Sequence, residues 1–159
     1  MGNKTLVYKL KVQHSLGESF KHLSRLKGAF TELEKEFSFP IDKDMYINIV
    51  NNVQYLAYSD QLIYRFSKLQ DCMGAKLFKS ILLYQGENID KPFLDILNSL
   101  EKMDIINVDE WFELRDLRNE ISHDYDDNDN HAINILNTIY NLQLELKKIL
   151  NNIQNIIEK

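Results

Sequence analysis

Apolar residues recur at helical spacing along nearly the whole chain. Between residues 4 and 37, Leu16, Phe20, Leu23, Phe30, Leu33 and Phe37 fall on one side of a 3.6-residue period, so the segment reads as a first helix. The run Ser38-Phe39-Pro40-Ile41-Asp42 interrupts it. Pro40 disfavours helical backbone at Phe39, and Asp42 can cap the next helix. Over residues 43–85, Met45, Ile49, Val53, Leu56, Ile63, Phe66, Met73, Leu77 and Ile81 keep one broad phase. A helix of that length would run roughly 60 Å, so a break is expected, near Tyr58-Ser59-Asp60. Gly86 can adopt the left-handed conformation that ends a helix.

Asp90-Lys91-Pro92 reads as an N-cap with Pro in the first turn of a helix carrying Phe93, Ile96, Leu97 and Leu100, which ends near Met103-Asp104. Asn107-Val108-Asp109-Glu110 reads as a capping-box variant, with Glu110 reaching back to Asn107. It opens a helix with Trp111, Leu114, Leu117 and Arg118. Residues 124–130 are polar and read as a loop. A last helix over 131–157 carries Ile135, Ile139, Leu142, Leu146, Ile149, Leu150, Ile153 and Ile157. No segment has strand alternation strong enough to build a sheet, and no repeat of solenoid length is present. The expected fold is all-α: one domain over 1–159, an antiparallel bundle of roughly five helices.

Composition fits this reading. Only 5 Gly and 2 Pro punctuate 159 residues, which favours long helices over a many-turned β fold. The single Cys72 lies in an apolar helical pattern and cannot form an internal disulfide. With no secretory h-region and no apolar run of membrane-spanning length, the chain reads as cytoplasmic. The net charge of −5 argues against broad charge-driven binding to nucleic acid. A nuclease on such a chain needs its Arg and Lys residues to converge locally, for example across a dimer interface.

The stretch Leu117-Arg118-Asn119-Glu120-Ile121-Ser122-His123-Asp124-Tyr125 carries the candidate chemistry. The planar guanidinium of Arg118 can donate paired hydrogen bonds to phosphate oxygens. His123 has an ordinary pKa near physiological pH and suits proton transfer. Taken singly, each residue has a plainer role. Arg118 could pair with Glu120, Asp116 or Glu110 on a solvated face, and His123 could cap the helix C-terminus. Arg115 could aid RNA binding or pair with Asp116 or Asp109. Arg65 could pair with Asp60 or approach the cleft. Tyr125 could stack on a base or pack at a loop edge.

Metal readings are weaker. Asp124-x-Asp126-x-Asn128 opens like a calcium loop, but Asp129 stands where the turn Gly belongs and Ile135 where the bidentate Glu belongs. His14 and His22 lack the Cys or carboxylate companions of a zinc site. No Gly-rich phosphate loop is present, so no metal and no nucleotide cofactor is expected in the chain.

The spacing Arg118-x-x-x-x-His123-x-Tyr125, with Asn119 directly after Arg118, resembles the signature of the HEPN family. Within it, the likeness is to HepT-like toxins paired with minimal nucleotidyltransferase antitoxins. Arg65-Phe66-Ser67-Lys68-Leu69-Gln70-Asp71, Phe93-Leu94-Asp95-Ile96-Leu97 and Trp111-Phe112-Glu113-Leu114-Arg115 extend the resemblance over roughly residues 60–125. It implies a metal-independent endoribonuclease toxin acting as a homodimer, with two motifs in a shared cleft. Arg118, His123 and Asn119 would be catalytic, and RNA the substrate. It further implies that the antitoxin silences the toxin by transferring AMP to Tyr125. The alternative is a non-catalytic helical substrate-binding subunit of a nucleotidyltransferase complex; a third class is a structural dimerisation bundle.

Overall fold

A computed structural model describes residues 2–124 and 128–159, apart from the side chains of His123 and Asp124. Tyr125, Asp126 and Asp127 lie outside the described residues. Helices α1 (Gly2–Glu34), α2 (Lys43–Val50), α3 (Val53–Cys72), α4 (Phe78–Tyr84), α5 (Phe93–Lys102), α6 (Val108–Asp124) and α7 (Asp129–Glu158) follow in order. A π-helical stretch, Met73–Leu77, joins α3 to α4 without a break, so the two form one rod. The fold is an all-helical bundle, with no strand among the described residues.

α1 packs along α3 and α4 and against α7, while α6 lies against α3 and α5. One apolar cluster joins them. It draws Val12, Leu16, Leu23, Leu26, Phe30 and Leu33 from α1, Leu62, Phe66 and Leu69 from α3, and Ile135, Ile139, Leu146, Leu150 and Ile153 from α7. The helical periodicity of these positions explains the fold directly, because each stripe is the face its helix must hide from water.

Three local expectations are corrected. The long second helix breaks at Asn51-Asn52, not at Tyr58-Ser59-Asp60. The Asn52 side chain accepts a hydrogen bond from Tyr55 N at 3.0 Å, so this Asn caps a new helix rather than continuing the old one. Ser59, by contrast, is buried inside α3. The cut separates α2 and gives six continuous helical rods among the described residues.

At α5, Pro92 occupies the capping position rather than the first turn. Its extended ψ of 150° starts the helix at Phe93, and its carbonyl accepts from Asp95 N and Ile96 N. At α6, Asn107 caps as expected, taking Glu110 N at 3.0 Å. The second half of the box differs: Glu101 of α5 accepts from Val108 N at 2.8 Å, while Glu110 faces Glu145 of α7.

The expected stops hold. Gly86, at φ 80°, closes α4 with Glu87 N donating to Leu82 O at 2.9 Å. Asp104 ends α5 the same way at φ 58°, with Ile105 N on Leu100 O at 3.0 Å. An Asp tolerates this conformation less well than Gly does. Cys72 is a buried thiol, pushed up in pKa chiefly by burial.

Candidate functional site

α6 divides its residues by face. Leu114 and Leu117 go into the core, while Arg115, Arg118, Asn119 and Ser122 line one flank at helical spacing, with the buried Trp111 at its base. That flank faces the end of α3 and the π-helical stretch. α6 crosses the rod at Gly74, where a Cβ would stand in ordinary contact, 3.4 Å from Trp111 Cζ2 and 3.9 Å from Phe93 Cζ. Trp111 meets Phe78 edge-on at 4.6 Å, which fixes α6 against the rod beneath it.

The result is a cavity of about 460 Å³ between α3, α4, α5 and α6. Arg115, Arg118, Asn119 and Ser122 form one wall, and Gln70, Asp71 and Lys79 the other. Three cationic side chains therefore meet one carboxylate, on a chain whose net charge is −5. Phe93 supplies an apolar edge, and the Arg115 guanidinium lies over its ring at 5.6 Å. This ring contact replaces the pairing of Arg115 with Asp116 or Asp109 that its own helix would allow.

Arg118 is held by two elements. Its Nε and Nη2 donate to the two carboxylate oxygens of Asp71, each at 3.2 Å, and Nη1 donates to the Ser122 hydroxyl one turn along α6. The carboxylate that meets Arg118 thus comes from α3, 47 residues away, and not from the acids of its own helix. A guanidinium has five N–H groups. With three engaged, one remains on Nη1 and one on Nη2. Those two donors remain for an anionic oxygen.

Arg65 does not reach the cleft. Its Nη1 lies 2.9 Å from His22 Nδ1 of α1, outside the cavity.

Of the residues singled out in the sequence, Arg118, Asn119 and Arg115 share the cavity. His123 belongs to α6, one turn beyond Asn119, but its side chain lies outside the described residues, as does the whole of Tyr125. Asp71, Lys79 and Ser122 have no assigned role in the sequence pattern, yet they line the same cavity. Ser122 could have been found from its i+4 spacing to Arg118. Asp71 and Lys79 are eight residues apart on one rod, and only the packing of α6 across that rod brings them to the motif.

No family model, curated protein or solved structure matches this chain. Among the described residues, no helix is long and apolar enough to cross a membrane.

Proposed function

We propose that this chain is a metal-independent endoribonuclease of the HEPN type: a cytoplasmic toxin acting as a homodimer. One observation carries the reading. Arg118, held side-on by Asp71, stands with Arg115, Lys79 and Asn119 around one cavity on an otherwise acidic protein. Such a site suits a phosphodiester, because paired guanidinium donors match its oxygens and the local cations offset the global charge.

The chemistry needs a base, an acid and charge stabilisation. The base takes the proton of an RNA 2′-hydroxyl, whose oxygen attacks the adjacent phosphorus. The bond to the 5′-oxygen breaks, and that oxygen takes a proton from the acid. A 2′,3′-cyclic phosphate and a 5′-hydroxyl result. In this reading His123 exchanges the proton, Arg118 stabilises the charge on the phosphoryl oxygens, and Asn119 orients His123 or the phosphate.

One protomer supplies one such motif, and a second copy would supply the other acid–base group. An apolar surface next to the cavity supports a dimer. Leu6, Val7 and Leu10 of α1 are 49–56% exposed, and the groove containing Val7 and Leu10 shares Ala75 and Lys79 with the cavity. The proposed partner is a minimal nucleotidyltransferase antitoxin that places AMP on Tyr125.

The Arg118–Asp71 pair also favours a second reading, because Asp71 already satisfies part of the guanidinium without substrate. A non-catalytic subunit of a nucleotidyltransferase complex would keep the same pair as an interface feature. Incubation with RNA in EDTA separates the two: the first reading predicts His123-dependent cleavage, the second none.

A further inference from the structure

The solvent face of the α3–α4 rod is in register with the cavity. Tyr64, Lys68, Asp71, Ala75 and Lys79 are all exposed and succeed one another by three or four residues. They form one stripe along the rod. The Arg118 cavity takes in the last three, and Tyr64 and Lys68 extend beyond it. At 1.5 Å per residue, Tyr64 stands about 10 Å along the axis from Asp71.

Tyr64 has features that its helix does not require. Its side chain contributes nothing to the buried core and remains 50% exposed. Two cations lie against its ring: Arg65 Cζ is 5.1 Å from the centroid, and Lys68 Nζ is 5.6 Å. Within residues 64–79 the acid of the stripe is Asp71, which Arg118 engages, and the exposed Asp60 continues the same face one turn before Tyr64. A base that displaces one of these cations from the half-exposed ring finds a π-face and positive charge beside it for the backbone, and the stripe leads on into the cationic cavity.

We infer that Tyr64 and Lys68 form a strand-binding subsite for single-stranded RNA: a base stacks on Tyr64 while Lys68 meets its phosphate, and the strand then runs along the rod to Arg118. The inference rests on the ribonuclease reading and adds the path of its substrate. It also gives the site a length requirement. An RNA long enough to reach from the cavity to Tyr64 gains the stacking contact, and a dinucleotide confined to the cavity does not.

The test uses the full chain with Tyr64→Ala, Tyr64→Phe and Lys68→Ala, with circular dichroism to confirm folding. All three substitutions are at the surface, so the fold should be retained. Cleavage kinetics in EDTA are measured on a fluorescent single-stranded 12-mer RNA and on a dinucleotide. Tyr64→Ala should raise KM for the 12-mer about tenfold with kcat unchanged, and Tyr64→Phe should restore it. Lys68→Ala should raise KM more at low salt than at high salt. None of the three should alter dinucleotide cleavage.

If the wild type cleaves both substrates and Tyr64→Ala leaves the 12-mer KM unchanged, the subsite is overturned while the ribonuclease reading stands. If Tyr64→Ala instead disrupts association between copies and leaves the KM of the dimeric fraction unaltered, the face is a protein interface and the subsite is likewise overturned. If the wild type neither binds nor cleaves RNA, both fall.

Discussion

Asp71 clamps Arg118 along one edge of its guanidinium, with Nε and Nη2 each 3.2 Å from a carboxylate oxygen. The clamp fixes which donors remain. It also ties α6 to α3 at the mouth of the cavity, so a contact between two helices sets the orientation of a candidate catalytic group.

The pair is half open to solvent on the Asp71 side, so its contribution to stability is small, about 0–1 kcal/mol. Its effect on activity should be larger. Arg118→Ala is expected to lower kcat for RNA cleavage by about 10²–10³-fold, the scale of losing a charge-stabilising donor. Asp71→Ala should lower it about tenfold, because a guanidinium freed on one edge spends less time aligned. Both variants should unfold within about 1 kcal/mol of the wild type in urea. Unchanged cleavage by Arg118→Ala would remove the residue from the reaction.

The helices were legible because their stripes are long: α1 and α7 each keep one apolar face over many turns. The break at Asn51-Asn52 was not, because Asn serves both as a modest helix former and as a strong cap, and the period continues across it. For the site, Arg118, Asn119 and Arg115 could be read from the sequence because they share one helix. Asp71 and Lys79 could not, because nothing in the local spacing says that α6 crosses the rod at Gly74.

A second prediction concerns pH. Burial first, and then the Arg65 and Lys21 cations, hold His22 below its ordinary value of 6.5. Arg25 acts in the same direction and Glu18 opposes it. The neutral ring accepts from Arg65 Nη1 at 2.9 Å. As pH falls below 6.5, the unfolded chain takes up this proton before the folded one, so the His22 contribution to stability is lost in that window. His22→Asn keeps an acceptor but does not titrate. Urea denaturation between about pH 7.5 and pH 5.5 should therefore show a smaller loss of stability in His22→Asn than in the wild type. Parallel curves would exclude a role for this pair.

Dimerisation is testable through the exposed stripe on α1. Leu6→Glu combined with Leu10→Glu places charge in a face that is about half exposed in the monomer, so folding should be spared. Sedimentation at micromolar concentration should show a dimer for the wild type and a shift toward monomer for the double variant, with cleavage falling in parallel. A wild type that sediments only as monomer would contradict the shared cleft.

Control by the partner is tested at Tyr125. An AMP group there would add a phosphodiester that competes with RNA for Arg118. Tyr125→Phe should retain much of the cleavage activity and resist silencing by the nucleotidyltransferase with ATP. Intact-mass analysis should show an AMP adduct on the wild type alone. An adduct persisting in Tyr125→Phe would place the modification elsewhere, and silencing of the wild type without any adduct would sink the proposed mechanism.

The most direct measurement is the fate of a single-stranded RNA incubated with the purified protein in excess EDTA, with products resolved by end-group chemistry. The account predicts fragments bearing 2′,3′-cyclic phosphate and 5′-hydroxyl ends from the wild type, and their loss in a folded His123→Ala variant. No cleavage by the wild type, cleavage only with added Mg²⁺, or cleavage that survives in His123→Ala would contradict it.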